Sequence, residues 1–230
     1  MNRQAYNLAH KRITAPEGGL QRLCAPFVTA LPITGAAVSA SGSAAQQSTL
    51  CASDSLAARL DELQFDLGEG PSRVAMASGH PVLIPDTSVG SIDWPMFGTA
   101  VQETPAAAVF AFPLALGGIR IGVVSLYRST PGTLAASQIA DAGSLATAVA
   151  WQVLPGLLLA ESGESSEFDD VTHSRREVHQ ATGMILVQLD TTVVNAFLLL
   201  QAHAFSNGRT VDAVARDVVL RRIDFAALPD

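Results

Sequence analysis

Apolar residues recur along this chain at two spacings, and each spacing marks a different kind of element. From 135 to 154, Ile139, Ala142, Leu145, Ala146, Val149 and Val153 form a nearly continuous helical stripe, which predicts one long helix. Upstream, residues 35–41 and 47–53 read as short strands joined by a Ser41-Gly42-Ser43 turn, 56–65 as a helix and 81–85 as a brief strand. Residues 107–116 and 119–128 are rich in Val, Ile and Phe, and Gly117-Gly118 between them is a hairpin signal. Hairpins build antiparallel sheets, so residues 20–154 are expected to form an α+β domain rather than a doubly wound one.

Near the C-terminus the period is again helical, in three short pieces. Val178, Ala181, Ile185 and Leu189 share one face of the first, and Ser174 with Glu177 has capping-box spacing at its start. Thr191 and Thr192 are cap candidates for the second, which Asn207-Gly208 ends. Thr210 is placed to cap the third, where Val211, Val214, Ala215, Val218 and Val219 keep the period and Asp212 suits the helix dipole. The small residues Ala181, Gly183, Ala196, Ala204 and Ala215 are expected where these helices approach one another. Between the two regions, residues 161–170 are acidic and serine-rich, so 155–171 is expected to be an exposed, mobile linker and 172–225 a second domain.

Composition sets bounds on this picture. Apolar content of 48% is ample for two buried cores. No unbroken run of eighteen apolar residues occurs, and the N-terminus lacks the form of a secretory signal, so neither a transmembrane helix nor a membrane partner is expected. Cys24 and Cys51 have no metal-ligand spacing and suggest no disulfide framework, which points to a reduced, cytoplasmic protein. The net charge is −7, yet from Val171 onward six arginines (175, 176, 209, 216, 221, 222) balance six acids (177, 190, 212, 217, 224, 230). The C-terminal module is therefore neutral, and any basic footprint for nucleic acid on it is local.

The C-terminal pattern resembles the ANTAR family of RNA-binding antitermination modules. The resemblance covers about residues 173–225 and rests on the three-helix layout, Gln180-Ala-Thr-Gly-Met184, Ala196-Phe197, Ala202-His-Ala-Phe205 and Val214-Ala-Arg-Asp-Val-Val219. It implies a module that binds paired stem-loops in nascent messenger RNA and prevents a terminator from forming. Arg209, Arg216, His203, Gln201, Thr182 and Gly183 are the RNA-contact candidates. Many members carry lysine where this chain has Thr182, and arginine where it has Leu199 or Gln201. The front domain resembles a GAF small-molecule sensing module, through Leu63-Gln-Phe-Asp-Leu-Gly-Glu-Gly-Pro-Ser72, His80-Pro-Val-Leu-Ile-Pro-Asp86 and the closing hairpin. Many GAF domains fused to ANTAR modules have cysteine where this chain has Ser72.

Nothing in the sequence assembles an enzyme. Gly68-x-Gly70 has no Gly-Lys-Ser after it, and Pro71 suits the first position of a helix. Ser72 lacks a Gly-x-Ser-x-Gly elbow, and His80 lacks a second ligand at helical or hairpin spacing. Asp61 and Glu62 are adjacent, so on a helix they point apart. Trp94, Met96 and Phe97 read as a Pro-punctuated loop. The expectation is a cytoplasmic, signal-responsive antitermination regulator that binds RNA, needs no cofactor or metal, and senses a small-molecule ligand with its front domain. The stripe over 139–153 predicts a homodimer through this helix; an internal packing helix reads the same way, and the two are not exclusive. The alternative is a ligand-sensing or dimerisation scaffold whose C-terminal helices bind protein and have lost RNA binding.

Overall fold

The computed structural model describes residues 3–15, 19–41, 47–89, 93–162 and 167–227, and side chains within these outside 160–175. Its centre is a sheet of five strands: β1 (Gly35–Ser41), β2 (Gln47–Ala52), β3 (Val82–Ile84), β4 (Ala108–Leu116) and β5 (Ile119–Arg128). Their order is β2-β1-β5-β4-β3, and every neighbouring pair is antiparallel. The β4–β5 hairpin closes where the sequence predicts, with Leu116 opposite Ile119 and Gly117 at φ 61°, a left-handed turn that glycine adopts without Cβ strain.

Alternation along the strands sends side chains to two helical layers. Phe110, Phe112, Leu114, Val124 and Leu126 pack under the long helix α6 (Ala136–Ser162) and beside α1 (Arg3–Thr14) and α2 (Ala25–Ala30). Val109, Ala111, Val123 and Tyr127 face α3 (Ser55–Leu67), α4 (Pro71–Ser78) and α5 (Pro95–Gln102). The front core takes in Ala9 and Ile13 of α1, ahead of residue 20, and the Tyr6 hydroxyl lies 2.7 Å from that of Ser144 on α6.

Several sequence expectations change here. Ala142, Leu145, Ala146, Val149 and Val153 are fully buried against their own sheet and Ile139 is half-buried, so the stripe packs on its own domain. By length and composition residues Ala136–Leu159 are also apolar enough to cross a bilayer, a property that interrupted runs conceal. Cys24 and Cys51 form a disulfide, with Cα atoms 6.0 Å apart; the single turn Leu20–Leu23 packs on β2 and brings together residues that their 27-residue separation leaves unrelated. Trp94 precedes α5 and packs on its core, whereas Met96 and Phe97 lie in the helix that Pro95 opens, with Phe97 buried.

The segment expected as a linker is helical at 155–162, with Pro155 inside α6, and again from 167; residues 163–166 lie outside the described residues. Helix α7 (Glu167–Leu189) contains Ser174 in its interior, so the 174–177 capping box does not begin it. A polar run has no period of its own, and composition alone does not separate a solvated loop from a solvated helix. Helices α8 (Val193–Ser206) and α9 (Val211–Val219) follow, with Thr192 and Thr210 accepting from the N–H groups of Asn195 and Ala213. Ala181, Ala196, Ala204 and Ala215 are buried where α7, α8 and α9 meet. Gly183 is not: it is exposed, and a Cβ there would meet nothing within 4 Å.

Candidate functional site

Helix α3 organises the front unit. Asp54 caps it, accepting from the N–H of Ala57 at 2.9 Å, the Ser53 hydroxyl at 2.6 Å and the Tyr127 hydroxyl at 3.0 Å. Desolvation, the largest single influence, raises the Asp54 pKa, but the bonds from Ser53, Ala57, Tyr127 and Leu56 outweigh it and hold it below the usual value. Burial, with Asp54 as hydrogen-bond partner and neighbouring charge, pushes Tyr127 up to about 12.

The inner face of α3 is polar. Asp61 and Gln64 are fully buried. Asp61 accepts from Ser39 at 2.6 Å and Thr49 at 2.5 Å, whereas Glu62 turns outward to Arg59 at 2.6 Å, so the adjacent acids do point apart. Gln64 accepts from the N–H of Ser72 at 2.8 Å and donates to the oxygen of Leu60 at 3.2 Å. The Ser72 and Ser125 hydroxyls lie 2.5 Å apart. Glu69 accepts from the N–H of Phe97 at 2.7 Å and ties the turn before α4 to α5. These groups form a satisfied network that fixes α3 and α4 on the sheet.

The C-terminal end of α3 meets the C-terminal helices. The Phe65 ring joins the buried core of α7, α8 and α9, with its centroid 5.3 Å from that of Phe197. The side-chain amide of Gln201 donates to the main-chain oxygen of Phe65 at 2.6 Å, and Asp66 accepts from the N–H of Val211 at 3.3 Å. Gly68 ends α3 at φ 67°, and a Cβ there would sit 3.3 Å from the Gln201 side-chain oxygen. A cavity of about 300 Å³ lies in this seam. Gln47 and Arg73 line it from the front unit, and His179, Thr182, Phe197 and Leu198 are among the residues that line it from α7 and α8.

The six candidate RNA-contact residues are dispersed around the helices. Thr182 is buried and donates to the oxygen of Val178 at 2.7 Å; Gln201 is buried in the seam. His203 packs against Phe225 with ring centroids 5.3 Å apart. Arg209 pairs with Asp217 at 2.7 Å and Arg216 with Glu177 at 3.1 Å, both partly exposed. The bonds from Arg209, then Arg222, hold the Asp217 carboxyl below its ordinary range. Gly183 lines the cavity and also a second, open groove between α7 and the turn after α9. Gln180, Met184, Gln188 and Arg221 line that groove as well. Sequence reasoning did not single out Gln188 or Arg221; the Arg221-Arg222 doublet just past the last helix was the available signal. Arg73 carried no signal, because only the fold brings α4 opposite α7.

This arrangement of sheet and helices is that of a GAF-like domain. The structure is similar to the GAF domain of a phosphoenolpyruvate-protein phosphotransferase from Acinetobacter (TM-score 0.53, 10% identity, covering 72% of this chain and 98% of that one). It is similar to the corresponding GAF domain from Coxiella burnetii (0.51, 15%, 71% and 99%). A third likeness is to the chromophore-binding domain of an unusual bacteriophytochrome from R. palustris (0.50, 15%, 69%), of whose length this chain spans 61%. No family model matches the sequence, and no curated protein is similar to it at the sequence level.

Proposed function

We propose that the chain is a signal-responsive regulator in which the GAF-like unit senses a small ligand and governs an ANTAR-like helical module that binds stem-loops in nascent messenger RNA and favours transcriptional read-through. One observation carries the RNA reading: Gln180, Gly183 and Met184, from the motif on which the resemblance rests, line one open groove together with Arg221. Such a groove offers amide and guanidinium donors to a sugar-phosphate backbone, beside one carboxylate, that of Asp224. The docked seam supplies the control. Gln201 and Thr182 are buried while α8 lies against α3, so a signal that loosens the seam uncovers them. This reading assigns the chain no catalytic step. It is tested by retention of leader-RNA stem-loops on nitrocellulose by the purified full chain. Selective retention of paired loops over duplex of equal length supports it, and no preference for any RNA overturns it.

A second reading has its own observation. Helix α8 contains no Asp, Glu, Lys or Arg, and Val194, Leu198 and Phe205 on it are 62%, 54% and 59% exposed. A helix apolar on nearly all faces asks for cover. In this reading the module binds protein, a second copy of the chain included, and the front unit is its scaffold. Light scattering at tens of micromolar, read beside the RNA screen, separates the two.

A further inference from the structure

We infer that the cavity in the seam is a binding site for a small organic anion: one apolar ring or short chain bearing a single carboxylate or phosphate. At about 300 Å³ it stands at the small end of ligand sites, which suits a ligand of one or two rings. Its walls divide by chemistry. Phe65, Phe197 and Leu198 are apolar, whereas Arg73 and His179 present a guanidinium and an imidazole. Among the described lining residues there is no Asp or Glu, in a chain whose net charge is −7.

Arg73 is the telling residue. It is exposed at the rim, and its side chain makes no ion pair or hydrogen bond among the described residues; Arg120 and Arg221 are alike in this, and what sets Arg73 apart is its place on the cavity wall. An unpaired guanidinium at the edge of an apolar cavity is placed to take an oxyanion in a two-point bond, with the apolar body of the ligand against the phenyl rings. The site is also incomplete in either unit alone: Phe65 and Arg73 come from the front unit, His179, Phe197 and Leu198 from the C-terminal helices. A ligand that bridges both binds only the docked arrangement and stabilises it by mass action. It then opposes whatever needs the seam open. That last consequence rests on the regulatory reading above, whereas binding itself does not.

The test uses the full chain, without RNA, and isothermal titration with 1-naphthylacetate, 1-naphthyl phosphate and the neutral isostere 1-naphthylacetamide. At least one of the two anions is expected to bind about tenfold more tightly than the amide, as a charge-assisted pair implies, and the tighter of the two identifies the head group. Arg73→Gln removes that preference and leaves the amide's affinity unchanged. Leu198→Trp or Val194→Trp narrows the cavity from the exposed side of α8 and weakens all three probes, with a wild-type circular dichroism spectrum. The inference is overturned if acid, phosphate and amide bind alike, if the preference survives Arg73→Gln, if binding is unchanged in both tryptophan variants, or if no probe binds at millimolar concentration. Failure here leaves the RNA reading standing, and failure of the RNA screen leaves this site standing.

Discussion

The side chain of Gln201 donates a 2.6 Å hydrogen bond to the main-chain oxygen of Phe65, and the ring of Phe65 completes the core of the helices that carry Gln201. The two residues are 136 positions apart in sequence. This bond adds to that of the Gly68 N–H on a carbonyl near the end of α3 and ties the C-terminal helices to the front unit. A polar and an apolar tie at the same point make the seam specific as well as adhesive.

The two ties are expected to differ in strength. Phe65→Ala removes a buried ring and should cost about 3–5 kcal/mol. Gln201→Leu should cost about 1 kcal/mol, because the N–H of Gly68 also reaches the Phe65 oxygen, at 3.3 Å. Urea unfolding measures both. A wild-type midpoint for Phe65→Ala would mean that the ring is not buried in the core.

Two small residues of the C-terminal helices should respond in opposite directions. Ala204 is 1% exposed, so Ala204→Leu overpacks the core and should destabilise by about 1–3 kcal/mol. Gly183 lies inside α7 with open space around its Cα, so Gly183→Ala should stabilise by about 0.5–1 kcal/mol through helix propensity. Thermal melts of the two variants on opposite sides of wild type are the expected result. A loss of stability in Gly183→Ala would place a helix contact at that position.

The Asp54–Tyr127 pair predicts two pH limits. The Asp54 pKa is lowered on folding, so its contribution is present above the unfolded value of 3.8 and disappears as pH falls through the folded one. Tyr127 is raised from 10.0 to about 12, so its contribution is present below pH 10 and disappears as pH rises towards 12. Tyr127→Phe should lower stability at neutral pH and flatten its alkaline decline. Equal slopes for the two proteins in urea midpoints between pH 10 and 12 would show that Tyr127 does not titrate in the folded chain as described.

Reduction supplies a further prediction. Closing the loop between Cys24 and Cys51, 27 residues apart, restricts the unfolded chain by about 3–4 kcal/mol in the loop-entropy account. The native protein should show no reactive thiol to Ellman's reagent, and two after unfolding with a reductant. The Cys24→Ser, Cys51→Ser double variant should melt at lower temperature. Two reactive thiols without reductant would contradict the pairing.

What the sequence displayed and what it hid divide along one physical line. The five strands, α3 and α6 were legible because each has its own period, as at 107–128 and across the stripe from Ile139 to Val153, whereas α1, α2 and α5 were not. What those faces pack against was not. The stripe read as a dimer seam, with core packing as the alternative, and only the fold shows the sheet beneath it. Gln201, an amide in an apolar helix, read as a nucleic-acid contact, and it bonds α8 to α3. Phe65 carried no sign of belonging to a second core, because its period is that of α3. Packing between elements depends on shape at long separation, and no local pattern records it. The cavity with Arg73 and His179 is of that kind.

The claim that the C-terminal helices bind RNA is tested most directly by the salt dependence of that binding. Full-length chain and the Arg209→Ala, Arg216→Ala double variant are titrated with a paired stem-loop leader RNA over roughly 50 to 200 mM salt, where phosphate interactions dominate the affinity. Both arginines now pair with carboxylates, Asp217 and Glu177, that a phosphate would displace. Binding is predicted to weaken steeply with salt, and the log-log slope to flatten by about one unit for each arginine–phosphate pair that the variant removes. No retention of RNA at the lowest salt, or the same affinity and slope in both proteins, would contradict the claim.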